Sequence, residues 1–232
     1  IEIGAPPSGQ NGVMLYFGTG SFSFYSDPAD TYAQTLYAVN DGERIPTTAT
    51  IPLSSLVRYG VSNLTGTDRT VVLQASPALA RGWYVNLPAG ERFVGYPEVA
   101  AGVVFMPTYT PNAVNLGCST GGYNTLFGLN ARSGAAALSR VHYGSPGSNN
   151  QPVAGTASVA LDTGGTAPVK DVGVMAIPRQ APPPLTGGPP PAIPPPAPTP
   201  PEQGCWMMVS VAGAQAMYLP YPCGRQSWRQ IQ

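Results

Sequence analysis

Two stretches of this chain occur twice. Gly12-Val13-Met14-Leu15-Tyr16-Phe17 is echoed by Gly102-Val103-Val104-Phe105-Met106, and Thr35-Leu36-Tyr37-Ala38-Val39-Asn40 by Thr125-Leu126-Phe127-Gly128-Leu129-Asn130. Both pairs are separated by 90 residues (102 − 12 and 125 − 35). Each copy reads as a strand, a long loop and a second strand, closed by Asn40-Asp41-Gly42 in one case and by residues 131–134 in the other. Such a repeat constrains the chain to an all-β architecture of stacked hairpin units, the way propeller blades read. The alternative is two unrelated hairpins in a β-sandwich.

The segments between the copies agree with this. Residues 81–111 read as three short strands meeting at turns. Trp83, Tyr84, Val85 and Leu87 form an aromatic and β-branched run that Pro88-Ala89-Gly90 ends, and residues 93–99 and 102–110 begin again after turn residues. Residues 51–61 and 69–75 carry further strand-like runs, separated by a loop over residues 62–66. Helix signals are nearly absent. The loops inside the two copies, residues 18–34 and 109–124, exceed the roughly 12 to 15 residues of passive connections, a length that points to function.

Composition excludes several classes. Of 232 residues 43% are hydrophobic, enough for a substantial core, but only 9% are charged, against about 25% in ordinary soluble domains. Ser, Thr, Asn, Gln, Gly and Pro must therefore cover the surface. The net charge is zero and the arginines do not cluster, so neither nucleic acid nor an anionic membrane surface is an expected partner. No apolar run approaches the roughly 20 residues of a membrane span. The start, Ile-Glu-Ile-Gly-Ala-Pro-Pro, is neither an initiator methionine nor a signal peptide, which suggests a mature or excised piece with any export signal upstream.

Several motifs resemble the C-terminal propeller domain of PilY/PilC-type proteins of bacterial type IV pili. They are Gly82-Trp83-Tyr84-Val85-Asn86-Leu87-Pro88, then Gly90-Glu91-Arg92, Pro97-Glu98-Val99 and Gly102-Val103-Val104-Phe105-Met106-Pro107-Thr108, in that family's order and spacing. Residues 18–41 resemble its Gly-Thr-Gly strand end, variable acidic loop and Gln-Thr-Leu-Tyr-Ala strand. Gly224-Arg225-Gln226-Ser227-Trp228-Arg229-Gln230-Ile231 resembles the sequence that closes these proteins. The likeness covers residues 12–134 and 224–232. It implies an all-β, partial or modified propeller with quinoprotein-like blades. It also implies a non-enzymatic, extracytoplasmic factor that is exported through the periplasm and sits at the pilus tip or outer surface. There it would work with minor pilins in pilus assembly and in adhesion to host or abiotic surfaces.

Three regions are expected along the chain: a blade region over 1–178, a proline-rich linker over 179–204, and a hairpin with a terminal strand completing the sheet over 205–232. Residues 182–201 are so dense in proline that they favour polyproline II and contribute no sheet or helix. Cys205 and Cys223 bracket a run whose midpoint is Ala214, so a hairpin turning at residues 212–216 would set them directly opposite and disulfide-bonded. Two buried thiols in a reducing cell are the other reading. Cys118, in Cys118-Ser119-Thr120-Gly121-Gly122, matches a cysteine frequent in that family's loop and has no evident partner. In the terminal strand Trp228 is expected to anchor by burial, while Arg225 and Arg229 are candidates to grip a partner.

Catalytic readings fail on residue count. Asp162-Thr163-Gly164 matches one half of an aspartic-protease site, but a second copy is missing and a glycine-rich turn explains it. His142 is the single histidine and reads as structural. Gly18-Thr19-Gly20 lacks the third glycine and the helix of a dinucleotide site. Asn63-Leu64-Thr65 fits a glycosylation pattern of little weight in a bacterial chain. The resemblance implies a calcium loop, yet Asp27 and Asp30, split by Pro28, are the nearest approach to one. The loop therefore lies upstream of Ile1 or is absent from this member, and no cofactor is expected in the segment. Two alternatives of function remain: a fragment of a pyrroloquinoline-quinone propeller dehydrogenase, which shares the Leu-Tyr-Ala-type strand, and a carbohydrate-binding or adhesive β-domain of another secreted protein.

Overall fold

The computed structural model describes residues 1–6, 11–21, 27–42, 50–112, 121–163, 167–177 and 205–221. Along them the strands are β1 (Glu2–Gly4), β2 (Met14–Gly18), β3 (Thr35–Asn40), β4 (Val57–Thr65), β5 (Asp68–Ala75), β6 (Gly82–Asn86), β7 (Arg92–Phe93) and β8 (Glu98–Ala100). They continue with β9 (Val103–Pro111), β10 (Gly122–Asn130), β11 (His142–Tyr143), β12 (Ser158–Leu161), β13 (Val172–Ile177), β14 (Cys205–Val211) and β15 (Met217–Tyr221). Helical structure among the described residues is confined to single 3-10 turns, such as Leu53–Ser55 and Leu138–Arg140.

Eleven strands form one sheet in the order β1-β2-β3-β6-β4-β5-β12-β10-β9-β7, with β8 also on β9. Its two ends approach each other. β7 returns beside β3 and β8 beside β1, and the Phe93 N–H donates to the Thr19 carbonyl at 3.1 Å. The result is a nearly closed, barrel-like sheet. The expected all-β, modified-propeller class is met, with both repeat copies in one continuous sheet.

Each copy forms the hairpin expected of it, β2 with β3 and β9 with β10, but the registers differ by one residue. Met14 faces Asn40 in the first, whereas Val103, not Val104, faces Asn130 in the second. Because side chains alternate with period two, that slip reverses which residues of the second strand point into the barrel. Leu36 and Ala38 line the inner core in the first copy; Phe127 and Leu129 do so in the second.

The slip suits the position of β9 and β10, which are covered on both faces. Val104, Met106, Phe127 and Leu129 join Met14, Tyr16, Trp83 and Val85 inside the barrel. Val103, Phe105 and Leu126 face outward against the second sheet, where Val209, Val211, Met217 and Leu219 complete another core. Two-faced burial explains why residues 103–106 are an unbroken apolar run. The second sheet has the order β11-β15-β14-β13. Its edge strand β13 and the neighbouring β14, which flank the proline-rich segment in sequence, pair antiparallel, with Ile177 opposite Trp206.

Local expectations were modified where turn chemistry decided. The residues 62–66 expected as a loop extend β4 as far as Thr65, and the chain reverses at Gly66, which takes φ +54°. The run expected over residues 93–99 breaks into β7 and β8 around Gly95 and Pro97. β12 pairs with β10, Leu126 opposite Val159. Cys205 lies opposite Tyr221 rather than directly opposite Cys223. The hairpin turns around Gly213 rather than Ala214, because Gly213 takes the positive φ of +76° that the turn requires. Cys118, Cys223 and residues 178–204 and 222–232 lie outside the described residues.

Candidate functional site

The topology gathers the long loops at one end of the barrel. β2 and β9 run in the same direction and β3 and β10 return from it, so the connections after β2 and after β9 begin and end at the same end of the sheet. The β6–β7 connection, with Gly90-Glu91-Arg92, lies at the same end, as does the stretch after β12. The Asn124 amide fastens that stretch, donating to the Ala167 carbonyl at 2.9 Å while its Oδ1 accepts from the Val169 N–H at 2.8 Å.

Glu91 and Arg92 act in different directions. Glu91, 2% exposed, accepts a two-pronged contact from the Arg69 guanidinium at 2.6 and 2.8 Å and a hydrogen bond from the Thr108 hydroxyl at 2.5 Å. Arg69 also donates from Nε to Ser158 Oγ at 3.0 Å, and its guanidinium lies over the Phe127 ring at 5.1 Å. One ion pair therefore ties β5, the β6–β7 turn, β9, β10 and β12 together inside the barrel mouth. Buried charge is tolerable there because each carboxylate and guanidinium is hydrogen-bonded.

Arg92, also 2% exposed, meets carbonyl groups instead of a carboxylate. Its Nη1 donates to Ser21 O at 3.0 Å and Asp27 O at 2.5 Å, Nη2 to Asp30 O at 2.6 Å, and Nε to Gly90 O at 3.2 Å. The planar five-donor fork of arginine suits this cage, which a lysine cannot reproduce. It fixes the base of the loop over 19–34. Burial pushes the phenol of Tyr109, which faces Arg92 across β7 and β9, above its ordinary pKa, and the Arg92 charge opposes that shift.

Two tyrosines, one in the first loop and one at the start of β10, are exposed at this end. Tyr32 is 81% and Tyr123 71% exposed. The Asp30 carboxylate accepts from the Tyr32 N–H at 2.8 Å, and that of Asp27 from Ser21 Oγ at 2.9 Å. The first loop sequence is rich in Tyr, Ser and Thr, the second in Asn and Gly. Such residues on a rigid β scaffold make an adaptable contact surface, the composition that antibody paratopes use.

The other residues marked in the sequence are dispersed. Cys205 opens β14. Cys223, Arg225, Trp228 and Arg229 lie outside the described residues. The two acids nearest to a calcium loop, Asp27 and Asp30, turn their carbonyls toward Arg92, and among the described residues no three metal-binding side chains converge. His142 is structural: its Nδ1 meets Ser148 O at 2.6 Å, its Nε2 meets the Gln151 amide at 2.9 Å, and its ring sits edge-on to Trp206 at 4.9 Å. Asp162 follows β12, and the backbone there closes on Gly213. The roles of Arg69 and of the Arg92 cage were not readable from spacing, since their partners come from distant segments and are largely main-chain groups.

No protein-family model matches the chain, and neither does a solved structure. Among curated proteins it is 32% identical over 256 aligned residues to a protein of Xylella fastidiosa (strain Temecula1 / ATCC 700964) described as "Type IV pilus biogenesis factor PilY1 homolog". The similarity spans 100% of this chain and 16% of that protein.

Proposed function

We propose, from the premise that the chain is PilY1-like over its whole length, that it is a non-enzymatic segment of a type IV pilus biogenesis factor. The observation that carries the reading is that end-to-end similarity. In this reading the segment is extracytoplasmic, associates with the pilus tip and works with minor pilins. The loop end, held by Arg92 and the Arg69–Glu91 pair, supplies surface adhesion through Tyr32 and Tyr123, and the strand over 225–231 contributes Arg225, Trp228 and Arg229 to the contact with minor pilins. Support for a recognition role comes from two long connections at one end of a rigid sheet, with Tyr32 and Tyr123 exposed beside them.

The test is capture of minor pilins by the purified, immobilised chain. Retention of minor pilins, weakened when Arg225 and Arg229 are both replaced by Ala in a chain that still folds, supports the role. A folded chain that retains none of them overturns it.

A further inference from the structure

At the opposite end of the barrel from the loops, residues of β2, β8 and β10 and of the turns beside them frame a pocket of about 350 Å³. Its apolar lining is the exposed Ala5, the half-buried Val99 and the buried Tyr16 and Ala131, and Arg132 and Arg140 line it too. In a chain with only 11 basic residues this convergence needs a reason. Three other described arginines are committed to the fold: Arg69 to Glu91, Arg92 to its carbonyl cage, and Arg81 to the Asp41 carbonyl at 2.7 Å. Arg132 and Arg140 are exposed and have no ion-pair partner among the described residues. Arg140 donates a single long hydrogen bond, 3.3 Å, to Ala101 O.

Arg132 leaves from an ordered turn. The Asn130 Oδ1 accepts from the backbone N–H groups of Arg132 and Ser133, both at 3.0 Å, which fixes the turn after β10. Burial pushes the Tyr16 phenol up to about 12, and the Arg132 charge pulls the other way. Glu2 and Glu98 are close enough at the β1–β8 seam to raise the Glu98 carboxyl together with its burial, and neither forms an ion pair with the two arginines.

We infer that this pocket is a binding site for an acidic side chain of a partner polypeptide, with Arg132 and Arg140 holding the carboxylate and Ala5 and Val99 taking its methylene groups. Two guanidiniums supply the planar, charge-assisted donors that a carboxylate accepts. The pocket volume lies near the lower end for small-ligand sites, room for one side chain with its adjoining backbone. The site does not depend on the role assigned to the loop end.

The experiment observes arginine Nε–H resonances of the labelled chain during titration with an end-blocked Gly-Glu-Gly tripeptide, its Gly-Gln-Gly counterpart and inorganic phosphate. Saturable shifts of Arg132 and Arg140 are expected with the glutamate peptide, in the millimolar range for so small a probe. The glutamine peptide should give none. Arg132→Gln or Arg140→Gln should weaken binding by about ten-fold, the loss expected of one charge-assisted contact, whereas Arg58→Gln on exposed β4 should leave it unchanged. Absence of saturable shifts, equal response to the glutamine peptide, or phosphate binding as tightly as the glutamate peptide would each overturn the assignment.

Discussion

Tyr16 and Trp83 donate to the same acceptor. The Tyr16 hydroxyl reaches the Ala131 carbonyl at 3.0 Å and the Trp83 indole N–H reaches it at 3.1 Å, with both side chains fully buried. One main-chain oxygen at the end of the second repeat thus joins the first repeat and the Gly82-Trp83-Tyr84 strand. Gly82 makes the fit possible: at φ +132°, a Cβ there would collide with the Ala38 carbonyl oxygen.

Truncating either donor should separate packing from hydrogen bonding. Trp83→Ala is expected to cost about 3–5 kcal/mol, a cavity in a dense core. Tyr16→Phe should cost only about 1 kcal/mol, since the carbonyl keeps the indole as partner. Urea unfolding checks both, and equal losses would show that the shared carbonyl is not doubly satisfied.

Alkaline pH should unfold the chain through Tyr16. Burial raises its folded pKa to about 12 from an ordinary 10.0, so the folded state holds the proton more tightly than the unfolded one. That contribution is complete below pH 10 and is lost as the pH rises toward 12. Tyr143, likewise pushed up to about 12 by burial, adds to the same window. Stability measured against pH should fall there, and less steeply in Tyr16→Phe.

The Arg69–Glu91 pair should be costly to break from one side. Glu91→Gln leaves a largely buried guanidinium uncompensated and is expected to cost about 3–5 kcal/mol. Removing both charges with Arg69→Met and Glu91→Gln should cost less than Glu91→Gln alone. A double variant as unstable as the sum of the two single variants would show that the pair is not coupled.

Arg92→Lys keeps the charge but cannot fill the carbonyl cage. Hydrogen exchange should accelerate in residues 27–35, and adhesion should weaken while the β9–β10 hairpin stays protected. Unchanged exchange in that loop would mean that Arg92 does not hold it.

Much of the fold was legible because periodicity reports burial. The repeat located β2, β3, β9 and β10, and the aromatic run located β6. What escaped was set by groups far apart in sequence. The one-residue register difference between the copies follows from the second sheet covering β9 and β10, which no single hairpin encodes. Cys205 pairs with Tyr221 because one glycine, Gly213, accepts the positive φ, moving the turn from the midpoint that cysteine spacing suggests. Cys205 is disulfide-bonded, and its two possible partners within the chain, Cys118 and Cys223, lie outside the described residues. The expectation that Cys223 is the partner stands as a prediction for non-reducing peptide mapping, and a Cys118–Cys205 peptide would refute it. At the loop end, loop length pointed to the region, but the arginine cage is built from carbonyl groups, which any sequence supplies.

The most direct test removes the segment in frame from the gene that encodes it and counts surface pili. The account predicts loss of surface pili and of adhesion while the shortened protein is exported at its normal level. Normal piliation and adhesion in that strain would contradict a role for this segment in pilus biogenesis.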